Sequence, residues 1–121
     1  MWWLFVVSAL IELAAGAASL FSPSSIPAFN KLTTGQGAEA VRWWSVAVIS
    51  LGAAAFLVRN APDSDVGKQA IGFGMLIYNI FLSIFCLRDY PKASSVGVLV
   101  HIPLAVGFLY WLKTSTAFFS F

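Results

Sequence analysis

Residues 2–21 read WWLFVVSALIELAAGAASLF, an apolar run in which Glu12 is the only charged side chain. About 20 such residues in a helix span the roughly 30 Å hydrocarbon core of a bilayer. Three more apolar runs follow, approximately Ala40 to Val58, Gln69 to Leu87 and Val96 to Leu112. Together with the first they fill most of the chain, so the connections are short and no room is left for a soluble domain. The expected fold is all-α: one domain over residues 1–121, an integral membrane, multi-pass four-helix bundle.

Composition leads to the same place. The 121 residues are 60% hydrophobic and 10% charged, against roughly 45–50% and about 25% in an ordinary soluble domain. A chain this short needs a polar shell over most of its surface to live in water, and seven Lys plus Arg with five Asp plus Glu cannot supply one. The expected solvent is the lipid bilayer. The net charge of +2 is dispersed, with no basic run to neutralise a row of phosphates, which argues against nucleic acid as a partner. Cys86 is the sole cysteine, so no intramolecular disulfide can form. Ala14 to Ala18 contains small-x-small pairs like those of a signal-peptidase site, but no Lys or Arg precedes the apolar run and Glu12 interrupts it, which favours a retained helix.

The connections carry ordinary stop signals. Pro23 ends the first segment, and Ile26, Ala28, Phe29 and Leu32 of the long first loop can lie at the headgroup boundary with Lys31 in water. Arg59 to Lys68 reads as a polar turn in water, and Arg88 to Lys92 as the turn between segments three and four. Trp2, Trp3, Trp43, Trp44, Tyr90, Tyr110 and Trp111 fall near expected membrane boundaries, as aromatic belts do. Arg59, Lys68 and Lys113 on one side face Lys31, Arg42, Arg88 and Lys92 on the other, a balance that gives no orientation.

Strongly polar groups inside a membrane are expensive unless paired, and so are the most informative residues of such a chain. Each segment has one: Glu12, Arg42, Asn79 and His101. At ~1.5 Å of rise per residue, Glu12 lies roughly 15 Å, Asn79 roughly 12 Å and His101 roughly 9 Å from one common face. Arg42 is nearest that face and has a long reach. Ser8, Glu12, Gly16 and Ser19 share a helical face, as do Gly97, His101 and Ala105; Gly72, Asn79, Ser83 and Cys86 form a third stripe, and Arg42, Ser45, Gly52 and Ala53 fall near a fourth. Small residues on such faces let helices approach closely, which predicts that the polar residues point at one another.

Two readings of that cluster compete. In one, hydrogen bonds among these residues only fix helix packing. In the other, they form a site, with Glu12 and His101 as catalytic acid/base groups, Arg42 and Asn79 orienting an oxygen of the ligand, and Tyr78 and Trp43 completing the ligand-binding set. Trp43 and Trp44 can also serve as belt anchors. One His and one Cys are too few for a metal site, and no phosphate loop, Ser/His/Asp order or Cys-x-x-Cys pair calls for a cofactor.

Two families share parts of this pattern. The segments Leu10-Ile11-Glu12-Leu13-Ala14-Ala15-Gly16 leading to Leu20-Phe21-Ser22-Pro23, then Arg42-Trp43-Trp44, Leu51-Gly52, Met75-Leu76-Ile77-Tyr78-Asn79 and a His in the last helix, His101, resemble small four-helix DoxX-like membrane proteins. That resemblance covers nearly the whole chain and implies architecture rather than a shared reaction. Glu12 also resembles the first-helix glutamate with which small multidrug transporters exchange protons for cationic drugs. Positive charge from Arg42 and His101 beside the carboxylate opposes that role, and Phe73-Gly74-Met75 lacks the glycine-rich pattern of those transporters. The expected function is binding or converting a lipophilic small molecule at an intramembrane polar site, with isomerisation or cyclisation as the chemistry these groups support without a cofactor. The alternatives are an accessory or assembly protein for a larger membrane protein, and a proton-coupled transporter. A homodimer or a membrane-protein partner fits each.

Overall fold

The computed structural model describes residues 1–26, 29, 32, 34–88 and 95–115. They form helices α1 (Trp2–Phe21), α2 (Gly35–Val58), α3 (Val66–Arg88) and α4 (Ser95–Ser115), with a short 3-10 turn at Pro23–Ser25. Each helix is long and apolar enough to cross a membrane, so the expected all-α membrane bundle is the observed one. Ala28, Lys31, Tyr90 and the turn at 89–92 lie outside the described residues.

Local chemistry explains where the helices begin and end. α1 stops where Pro23 cannot donate, and the Ser22 N–H closes on the Ala18 carbonyl at 2.7 Å. α2 starts at Gly35 rather than near Ala40, five residues before the apolar run, because Gly35 turns the chain at φ +61° and the polar residues behind it are already helical. α3 starts at Val66 rather than Gln69, because the Asp65 carboxylate accepts the Lys68 backbone N–H at 2.8 Å as an N-cap. Pro103 lies inside α4 and removes one rung of its hydrogen-bond ladder.

α1 packs along α2 and α3 along α4, while smaller contacts join α2 to α3 and α1 to α4. Lipid tails are as apolar as leucine, so close fit rather than water exclusion must hold such helices together. Glycines supply the fit. A Cβ at Gly16 would stand 2.6 Å from the Ile49 side chain, and one at Gly52 would stand 3.1 Å from the Ala9 carbonyl oxygen and 3.2 Å from Glu12 Cβ. At Gly72 it would overlap the Trp111 indole. Trp111, expected in an aromatic belt, is instead fully buried, edge-on to Phe5 with ring centres 4.9 Å apart, and Phe5 meets Phe108 edge-on at 5.3 Å. Trp2, Trp3, Trp43 and Tyr110 stay exposed, as belt residues would.

Candidate functional site

The interior face of α1 is the one its spacing predicts: Ser8, Glu12, Gly16 and Ser19 are all buried. Glu12 is only 1% exposed. From α3, the Tyr78 hydroxyl donates to Glu12 Oε2 at 2.9 Å. The second carboxyl oxygen, Oε1, has no hydrogen-bond partner among the described residues.

The next residue of α3 continues the network. Asn79 is fully buried, and its Nδ2 donates to the Met75 carbonyl at 2.8 Å, which fixes the orientation of the amide. Oδ1 therefore faces His101 Nδ1 of α4, at 2.8 Å. An amide oxygen only accepts, so Nδ1 must carry the proton, and in the neutral ring Nε2 is the lone-pair nitrogen. The His101 ring stands edge-on to Tyr78 at 6.1 Å between centres. The structure thus brings two hydrogen-bonded pairs, Glu12–Tyr78 and Asn79–His101, side by side across α1, α3 and α4, in contact through the Tyr78 and His101 rings.

Arg42 and Trp43 do not join it. The inward stripe of α2 is Val41, Ser45, Val48, Gly52 and Ala55, and each step along a helix turns by about 100°, so the residue after Val41 points away. The Arg42 side chain is exposed and lies 3.5 Å from Glu39. Trp43 is 73% exposed, and its indole N–H donates to Glu39 at 2.8 Å. Arg42, Trp43 and Glu39 line an open groove on the outer face of α2 with Val46 and Ala47. The expectation that all four polar residues converge is corrected on this point, and His101 is left as the only basic side chain of the cluster. On α4, Gly97, His101 and Ala105 are half-buried, and the core is made by Leu104, Phe108, Trp111 and Leu112.

A second buried ionic group lies where the sequence reads as a hydrated turn. Lys68 is 3% exposed. Its ammonium donates to Asp63 at 2.9 Å, to the Ala61 carbonyl at 2.7 Å and to the Arg59 carbonyl at 3.3 Å, and it lies 5.2 Å from the Phe5 ring. All three ammonium hydrogens have acceptors, so this group locks the α2–α3 turn onto the end of the core. Burial alone would raise the Asp63 carboxyl, but the hydrogen bond and charge of Lys68 outweigh it and hold the group below its ordinary range. The alternation of charge and glycine in Asp63-Ser64-Asp65-Val66-Gly67-Lys68 resembles any exposed turn, and nothing in it marks Lys68 as buried.

Among the described residues no group of three or more His, Cys, Asp or Glu could hold a metal ion. No protein-family model, curated protein or solved structure matches this chain.

Proposed function

We propose that this membrane protein binds, and by proton transfer converts, a lipophilic small molecule at the Glu12–Tyr78 and Asn79–His101 network. The observation that carries the reading is Glu12 itself, a carboxyl 1% exposed that uses Oε2 and leaves Oε1 unpartnered. Buried polar groups that serve only to hold helices together are in the large majority hydrogen-bonded, because an orphaned buried oxygen costs about 1–3 kcal/mol. An unpartnered oxygen on a buried acid, beside an imidazole of fixed tautomer, is what acid/base chemistry on a bound molecule needs. Tyr78 and His101 are only half-buried, so the network reaches the bundle surface between α3 and α4.

The test is mass spectrometry of lipophilic molecules carried by the protein purified in detergent, compared with Glu12→Gln and His101→Ala at equal amounts of folded protein. The reading expects a species carried by the parent protein and depleted in both variants. Identical profiles in all three overturn it.

One observation favours a second reading, in which the chain helps a larger membrane protein assemble. The Tyr78–Glu12 and Asn79–His101 bonds both join different helices and so fix their packing. That reading expects both variants to lose folded protein equally, with no change in bound molecules.

A further inference from the structure

The buried serines of this bundle follow a pattern with one exception. Ser19, Ser45 and Ser83 each turn the hydroxyl back onto the carbonyl four residues earlier, at 2.7 Å. That is the ordinary way for a mid-helix serine to satisfy itself. Ser8 is fully buried like them, yet its Oγ has no hydrogen-bond partner among the described residues. It stands one turn before Glu12 on the same face of α1, and Glu12 Oε1 is likewise without a partner. Two buried oxygens on neighbouring turns are thus left with hydrogen-bonding capacity that no described residue meets and that a bound guest would meet.

Their chemistry restricts what the guest can be. A carboxyl oxygen seeks a hydrogen, and a serine hydroxyl can give one. The surroundings are tight, since a Cβ on Gly52 would already stand 3.2 Å from Glu12 Cβ, so the polar end of the guest must be small. The hydrogens of the nearby groups are already directed elsewhere: Tyr78 O–H to Glu12 Oε2, and Asn79 Nδ2 to Met75. We propose that Ser8 Oγ and Glu12 Oε1 clasp the hydroxyl of a lipophilic alcohol, which donates to the carboxyl and accepts from the serine. This rests on the reading of Glu12 as part of a binding site and adds the chemical class of the ligand.

The test compares 1-dodecanol with dodecyl methyl ether, which keeps the acceptor oxygen and lacks the hydrogen, as radiolabelled probes on the whole protein in detergent. The expected result is saturable binding of the alcohol and binding about tenfold weaker for the ether, the effect of one hydrogen bond left unmade at a buried oxygen. Ser8→Ala should weaken alcohol binding by a similar factor while melting as the parent protein does, because no protein hydrogen bond is lost. Equal binding of the two probes overturns the proposal, as does no saturable binding of either, the outcome if a trapped water alone fills the place. If a Glu12-dependent molecule without a hydroxyl is found on the purified protein, the alcohol class is overturned and the site stands; if no Glu12-dependent molecule is carried, the site reading fails as well.

Discussion

Tyr78 of α3 and Glu12 of α1 are 66 residues apart in sequence and meet at 2.9 Å, hydroxyl to carboxyl. α1 and α3 otherwise make little direct contact, since α1 lies chiefly on α2 and α3 on α4. The hydrogen bond is therefore a tie between the two halves of the bundle as well as part of the polar site.

Tyr78→Phe keeps the ring against His101 and removes the donor, leaving both Glu12 oxygens without a side-chain partner. Stability in detergent should fall by about 1–2 kcal/mol. Glu12→Gln retains an oxygen for the Tyr78 hydroxyl and should cost less. Denaturant unfolding of the two variants and the double variant checks the ranking, and purely additive losses would mean that the two residues are not coupled.

Asn79→Leu should change the state of His101 rather than the fold alone. With Oδ1 gone, nothing selects the proton on Nδ1, and the ring should populate both neutral tautomers. Nitrogen chemical shifts of the imidazole report this directly: a single Nδ1–H form in the parent protein, a mixture in the variant.

Gly72→Ala should be among the most damaging small changes, because the added methyl meets the buried Trp111 ring. Overpacking of this kind costs about 1–3 kcal/mol. Gly74→Ala, two residues away with nothing within 4 Å of the added atom, should instead stabilise by about 0.5–1 kcal/mol, the usual gain for alanine over glycine within a helix. Melting temperatures in the same detergent decide between the two signs.

The Asp63–Lys68 lock predicts a pH dependence with a definite sign. The folded Asp63 carboxyl titrates below its ordinary value of 3.8, so the stability it contributes is present above that pH and is lost as pH falls through the lower folded value. Asp63→Asn should remove this acid-limb dependence and destabilise at neutral pH by about 1–3 kcal/mol, because Lys68 then has only carbonyl partners. Unfolding curves between neutrality and pH 3 measure both effects.

Much of this was legible in the residues themselves. The four helices follow from the lengths of the apolar runs, and the buried face of α1 from the spacing of Ser8, Glu12, Gly16 and Ser19. Depth was legible too, since Glu12, Asn79 and His101 do share one layer of the bundle. Azimuth was the weaker guide. Arg42 is displaced along α2 as well, since Gly52 is the α2 residue that meets Glu12 and lies about 15 Å further along the helix, and with Val41 and Ser45 marking the inner stripe a rotation of about 100° sends Arg42 outward to Glu39. Helix starts at Gly35 and Val66 depend on a positive φ and a side-chain cap, which an apolar count does not see. The burial of Lys68 depends on carbonyls of a turn and on the rings of Phe5 and Trp111, long-range partners that no local pattern records.

Whether Glu12 is the heart of a binding site or a packing device is decided by weighing what the purified protein carries. At equal amounts of folded, monodisperse protein, a lipophilic molecule should be bound to the parent chain and lost from Glu12→Gln. The same molecules in the same amounts on both proteins would make Glu12 a packing device.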